Sequence, residues 1–313
     1  MVKRKSIKFL SVLLSVLMLA SVMPSSVYAI AAEDIADNLR TDESVSYDIS
    51  SEETSEASSE VYALGEDVSK RTENAKYIRM SDGSYYVAVY DSAVHYLDGD
   101  VWEEIDNTLA SSSASGSDDV AGVATSKGKH TIKFANNSNS SKLVAIKQGN
   151  YKISFNLVGA NKSKGMTVTN PEAHSADATE LERLTVVKKA VSSVMYEDIL
   201  DGVDLEYVVN GNNLKENIIV KNKANEYVYH FDMTLDKLTA EQLDDGKIVF
   251  VDEKTGEIVY TITTPYMVDA NGKYSDKVTY SLERVKNKEY RITVTADGEW
   301  MNDESRVFPV TID

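Results

Sequence analysis

Residues 195–221 read MYEDILDGVDLEYVVNGNNLKENIIVK, and their alternation decides the fold. Val203, Leu205, Tyr207 and Val209 fall on one face of an extended chain, while Asp204, Glu206 and Val208 fall on the other. A hydrophobic period of two predicts a half-buried strand. The polar stretch Asn210-Gly211-Asn212-Asn213 interrupts it, and LKENIIV then resumes. Two such runs about an Asn/Gly turn predict a β-hairpin with a core face and a wetter face.

The same pattern extends in both directions. Strands are expected at 129–135, 142–147, 150–158, 184–191, 203–209, 214–221, 226–235, 247–251, 257–262, 278–285, 288–296 and 306–312. Turn signals such as Gln148-Gly149-Asn150, Asp245-Gly246, Thr255-Gly256, Asn271-Gly272 and Asp297-Gly298 separate them. Many short strands with such turns predict an all-β fold, an antiparallel β-sandwich or two stacked ones, over 128–313. Tyr266-Met267-Val268 after Pro265 reads as a strand that changes sheets, and Phe308 to Ile312 as an edge strand, since proline is confined to edges and strand starts. Helix is expected in two short windows only, Glu180 to Leu184 and Leu238 to Leu243, with Thr239 capping the second over Gln242.

Upstream, Asp82-Gly83 and Asp98-Gly99-Asp100 punctuate two tyrosine-rich hairpins, a small β unit at 68–110 with Trp102 as its core anchor. A Ser/Gly-rich joint is expected at 111–127. Residues 32–67 hold twelve acids and one base, Arg40, so 30–67 reads as a disordered acidic, Ser-rich leader. Residues 1–29 combine a basic start (Lys3, Arg4, Lys5, Lys8), an apolar run from Phe9 to Met23 and small residues ending at Ala29. This order predicts a secretory signal peptide cleaved after Ala29 or Ala31, and hence a secreted chain, with cell-wall association one possibility.

The 313 residues include no cysteine, so stability must come from packing rather than disulfides, and thiol nucleophiles and Cys-ligated metals are excluded. The formal charge is −17; removing residues 1–29 takes away four bases and no acids, which gives −21. Such a surface repels nucleic acid and anionic lipid, and suits solubility, divalent cations at a cell wall, or a basic partner; a cell-wall or surface glycan or protein is the partner class expected. No cofactor is expected, and no membrane contact after signal cleavage.

Chemistry-bearing candidates are few. His95, His130, His174 and His230 lack metal-ligand spacing. Asp201 and Asp204, Glu103 and Asp106, and Asp276 are the acids a glycosidase could pair, although most sit at turns where Asp bonds its own backbone. Asp269, Asn271 and Asp276 form a candidate calcium loop, but Gly272 is fourth rather than sixth and Lys273 takes a ligand position, so a hairpin loop competes. Tyr85, Tyr86, Trp102 and Trp300 are candidates for stacking against a sugar. No catalytic residue is assigned.

Two stretches carry a resemblance: residues 67–109, DVSKRTENAKYIRMSDGSYYVAVYDSAVHYLDGDVWEEIDNTL, and the 195–221 stretch continuing through YHFDMTL, IVFVDEKTGEIVYTITTPYMVDANG and ESRVFPVTID. Together they resemble the N-terminal, pre-repeat region of secreted Gram-positive RHS/YD-repeat, wall-associated proteins of the DNRLRE type. That resemblance implies a structural or scaffold module at the cell surface, either a truncated front end of a larger protein or a front module that serves alone, and with no catalytic motif found it is expected to be non-enzymatic. The chain departs from the pattern in carrying no YD repeat, no DNRLRE-type segment and no sorting signal. A carbohydrate- or wall-binding module and a glycoside hydrolase are the alternatives.

Overall fold

The computed structural model describes residues 60–115, 120–161, 165–171, 178–187 and 189–313. The expected signal peptide, most of the expected leader and His174 lie outside these residues. In chain order, β1 (Ala63–Glu66), β2 (Ala75–Met80) and β3 (Tyr85–Val89) form one sheet, and β4 (His95–Asp98) pairs with β5 (Val101–Glu104). There follow β6 (Asp106–Ser112), β7 (Gly122–Lys127), β8 (Thr131–Ala135), β9 (Val144–Gln148), β10 (Tyr151–Leu157), β11 (Thr167–Thr169) and helix α1 (Glu180–Thr185). Next come β12 (Val191–Leu200), β13 (Val203–Asn210), β14 (Asn213–Val220), β15 (Val228–Asp236), β16 (Leu238–Gln242), β17 (Ile248–Asp252) and β18 (Ile258–Ile262). The last elements are β19 (Met267–Asp269), β20 (Tyr274–Ser275), β21 (Val278–Lys286), β22 (Glu289–Ala296), helix α2 (Gly298–Asn302) and β23 (Val310–Ile312).

Two large antiparallel sheets dominate. One has eight strands in the order β21-β22-β15-β10-β9-β8-β7-β6, the other seven in the order β11-β12-β13-β14-β23-β19-β20. A smaller sheet, β16-β17-β18, branches from the chain between β15 and β19. The two large sheets face each other across one hydrophobic core. On β13 the buried residues are Val203, Leu205, Tyr207 and Val209, the face read from the alternation. Across the gap stand Tyr229, Phe231, Met233 and Leu235 of β15 and Tyr290, Ile292 and Val294 of β22. The Tyr207 ring lies 5.7 Å from that of Phe134 on β8 and 6.0 Å from that of Phe155 on β10. The Tyr196 hydroxyl on β12 donates to the Ala135 carbonyl at 2.7 Å, which satisfies a polar group that burial would otherwise penalise. Each fully buried side chain of this size stabilises the sandwich by about 2–3 kcal/mol.

Several expectations are corrected. Leu238 to Leu243 is not helical: Leu238–Gln242 is a strand paired to β17, with Thr239 opposite Val251 rather than capping a helix. Lys237, at φ 60°, turns the chain out of β15, and a waiting strand edge outweighs the helix propensity of Leu-Thr-Ala-Glu-Gln. The strand placed at 184–191 begins only at Val191, because the capping box of Thr179 and Glu182 carries α1 to Thr185. The last strand is not an edge: β23 pairs with β14 on one side and β19 on the other, and Pro309 stands just before it, where its missing N–H costs no ladder bond. Part of the expected joint is sheet, since Gly122–Lys127 pairs with both β6 and β8. The end of the expected leader is strand too, with Ala63–Glu66 on the edge of β2. Trp102 is half-buried on the β4–β5 hairpin and takes no part in the shared core.

The N-terminal hairpins lean on the turn between β13 and β14. Buried Asn107 donates to the carbonyls of Ala190 at 2.7 Å and Gly211 at 2.9 Å. Gly211 is at φ 57°, and a Cβ there would stand 2.4 Å from the Ala93 carbonyl oxygen. A side chain is excluded at this contact for two reasons, backbone conformation and space.

Candidate functional site

A group of ionisable side chains joins the two N-terminal hairpins. Glu66 on β1 and Arg71 form a two-pronged pair, Nε to Oε1 at 2.7 Å and Nη2 to Oε2 at 2.8 Å. Lys76 on β2 reaches the Glu104 carboxylate on β5 at 2.6 Å, and Arg71 approaches the same oxygen at 3.5 Å. Fully buried His95 on β4 gives its Nδ1 proton to the Thr72 carbonyl at 2.7 Å, while Nε2 lies 3.9 Å from Glu66. Burial lowers the His95 pKa below its ordinary value. Burial alone would raise the pKa of Glu104, but Lys76 and Arg71 outweigh it and hold the carboxyl below its ordinary value. Every member is thereby committed to a neighbour, and the cluster acts as a clasp between β1–β3 and β4–β5.

A second group lies at the C-terminal end. Asp269 on β19 and Arg306 pair at 2.9 Å with side chains only 1% exposed. The Arg306 guanidinium also lies 3.4 Å above the Trp300 ring of α2, and its Nε donates to the Trp300 carbonyl. Asp269 Oδ1 accepts the backbone N–H groups of Asn271 at 3.0 Å and Lys273 at 2.9 Å. Asp269 therefore has a structural role in the calcium-loop candidate: one oxygen closes the β19–β20 hairpin and the other neutralises a buried arginine. Desolvation raises its pKa, but the Lys273 N–H and Arg306 together pull it below the ordinary carboxylate value. No metal-holding group of three or more His, Asp or Glu occurs among the described residues.

The remaining candidates do not converge. Tyr85 is exposed on β3, donates to Asp67 at 2.8 Å and carries Lys70 over its ring, while its neighbour Tyr86 points to the other face of the strand. Trp102 is on the β4–β5 hairpin and Trp300 lies beneath Arg306, so the four aromatics form no common platform. Asp204 pairs with Lys221 at 2.7 Å and accepts from the Asp198 N–H. Asp106 pairs with Lys189 at 2.8 Å and Asp201 meets Asn161 at 3.4 Å. His230 is exposed beside Thr293, and His130 packs against Tyr260 at 5.5 Å, where burial lowers its pKa to about 4.

Two features were missed by sequence reasoning. Glu216 on β14 stands directly across from Tyr207 on the core side, and burial, reinforced by Asp313, raises its pKa to about 7. Its place in LKENIIV, in step with Ile218 and Val220, was the available signal. Tyr266 and Tyr274 stack at 5.6 Å on the outer face of the seven-stranded sheet, with Tyr274 61% exposed and Lys215 over the Tyr266 ring. Their pairing depends on the β19–β20 register and had no local signal.

The chain is similar over nearly its whole length to WapA proteins and spans about 13% of theirs. It is 29% identical over 326 residues to the tRNA3(Ser)-specific nuclease WapA of Bacillus spizizenii, covering 99% of this chain and 13% of that protein. It is likewise 29% identical over 327 residues to the tRNA nuclease WapA of Bacillus subtilis (strain 168), again over 99% of this chain and 13% of the relative. A protein named wall-associated protein, from Geobacillus stearothermophilus, is 23% identical over 209 residues, 66% of this chain and 76% of its own length. No protein-family model and no solved structure matches the chain.

Proposed function

We propose that this chain is an exported, non-enzymatic β-rich module that serves at the cell surface as a scaffold for neighbouring or attached parts. The observation that carries this reading is the use made of its charged groups. Glu104–Lys76 ties β5 to β2, and Glu66–Arg71, Asp204–Lys221 and Asp269–Arg306 each tie a strand to a connecting segment, so these charges hold the body together. Homology to wall-associated proteins supports the location. The nuclease activity in the relatives' names belongs to proteins of which this chain spans 13%, and we do not transfer it.

The test has two parts. The full chain expressed in a Gram-positive host is expected in the medium or wall fraction with a new N-terminus at Ile30 or Ala32; retention in the cytoplasm overturns the export. The purified protein is expected to leave peptidoglycan, soluble glycans and tRNA intact. Hydrolysis of any of them at a rate abolished by one side-chain substitution overturns the scaffold reading.

One observation favours a second reading, binding of a wall glycan. The Tyr266–Tyr274 stack presents an aromatic face beside Lys215 and Asp313. If it binds sugar, Tyr274→Ala should reduce retention on insoluble cell wall at least tenfold; equal retention by both proteins rejects it.

A further inference from the structure

β3 is the outer strand of the sheet β1-β2-β3, and the chain on both sides of it is described, from the turn at 81–84 to the link at 90–94 that leads into β4. It pairs with β2 from Tyr85 opposite Arg79 to Val89 opposite Ala75. Which of its backbone groups point inward is fixed at both ends. The Met80 N–H donates to the Ser84 carbonyl at 2.9 Å, and the Tyr90 N–H donates to the Asn74 carbonyl at 2.9 Å. Bonded and outward positions alternate along an antiparallel strand, so Tyr86 and Ala88 also bond to β2. The N–H and C=O of Tyr85, Val87 and Val89 therefore point away from β2, and among the described residues no hydrogen bond reaches them.

The side chains of the same residues face solvent: Tyr85 is 41% exposed, Val87 42% and Val89 73%. Tyr77 of β2, opposite Val87, widens this apolar strip and meets the Tyr85 ring edge-on at 6.5 Å. Soluble proteins guard such an edge with charge, proline or a covering group. On β21 the Gln242 side chain does so, donating to the Tyr280 carbonyl at 2.8 Å and accepting from the Leu282 N–H at 3.2 Å. The β3 residues, Tyr-Tyr-Val-Ala-Val, include neither charge nor proline. The edge is also self-complementary. Turned about a two-fold axis at Val87, Tyr85 of one copy meets Val89 of the other, and Val87 meets Val87. Each outward N–H then faces an outward C=O, and the exposed apolar side chains come together on one face. The charges at the ends agree. Arg79 is exposed beside Tyr85, Asp91 is exposed two positions after Val89, and antiparallel pairing carries each toward its opposite on the other copy.

We propose that β3 pairs antiparallel with β3 of a second copy of this chain, joining two N-terminal sheets into one. A strand of five residues alone covers less than the roughly 800 Å² per partner of a stable complex, so the dimer belongs to the transient class. The formal charge of −17 on each copy also opposes association. Both effects confine the contact to high local concentration. The inference goes beyond the scaffold reading and does not depend on it.

The experiment follows the mass of the full chain by sedimentation up to about 0.5 mM, where a Kd of about 100 μM populates the dimer. The mass is expected to rise with concentration, and Val87→Lys should weaken the association at least tenfold while circular dichroism stays β-type. Amide exchange at Tyr85, Val87 and Val89 should slow at least tenfold between dilute and concentrated protein. The chain has no cysteine, so Val87→Cys supplies a single reporter. The two Cα atoms of a hydrogen-bonded pair lie about 5.5 Å apart, within disulfide reach. Val87→Cys should cross-link under mild oxidation at least tenfold faster than Val285→Cys, which is exposed on β21. A mass that stays monomeric, equal association by Val87→Lys, or no excess of cross-linking at position 87 overturns the pairing. Protection of these amides already in dilute monomer overturns it too, since the edge is then covered within one chain.

Discussion

At the scale of single residues, the informative positions are those where burial and charge conflict. Glu216 has its pKa raised to about 7, mainly by desolvation. The folded state therefore binds its proton more tightly than the unfolded state does. The resulting stability is fully present below the unfolded value near 4.5 and is lost as pH rises through about 7. Glu216→Gln is expected to be more stable than the parent at pH 8 by about 1–3 kcal/mol, with the difference vanishing near pH 4.5; urea unfolding at both pH values checks this. Arg306 presents the opposite case, since its charge is needed. Arg306→Met leaves Asp269 buried without a counter-ion and removes the contact over Trp300, so a loss of about 3–5 kcal/mol is expected by denaturant unfolding. Glu216 could be placed on the core face from its phase with Ile218 and Val220, but its titration depends on what covers that face. Arg306 and Asp269 are 37 positions apart, and nothing local to either names the other.

At the scale of elements, legibility follows the source of the stabilising bonds. The β13–β14 hairpin was readable because its turn, its alternation and its partner all lie within one short stretch. Helix α1 is readable for the same reason: the Thr179 side chain accepts from the Glu182 N–H while the Glu182 carboxylate accepts from the Thr179 N–H. Thr179→Ala removes half of this box and should destabilise by about 1 kcal/mol, seen as a lowered Tm with an unchanged β-type spectrum. β16 was misread because its bonds come from β17, and a five-residue segment with mixed propensity takes the conformation its partner offers. β23 was misread as an edge because its second neighbour, β19, is separated from it by β20, β21, β22 and α2 in the chain. The contact of Gly211 with Ala93 belongs here too, since it fixes the N-terminal hairpins to the β13–β14 turn. Gly211→Ala is expected to cost about 1–3 kcal/mol, and limited proteolysis should then release the segment before β6 faster than in the parent.

At the scale of the whole molecule, Tyr207 reports on the closure of the sandwich, because its ring touches aromatic side chains of the opposite sheet. Tyr207→Ala should lower stability by about 3–5 kcal/mol and broaden the unfolding transition, measured by near- and far-ultraviolet dichroism in urea. The amino-acid sequence by itself determined that this chain is a β protein with one wet and one dry face per strand. Period two is a property of each strand alone, and cysteine-free burial leaves sheet-on-sheet packing as the available solution. The tertiary structure alone decided which strands are neighbours and which carboxylates are spent in buried pairs. Those outcomes depend on pairings between distant segments, where loop closure and competing partners set the free energy rather than any local pattern.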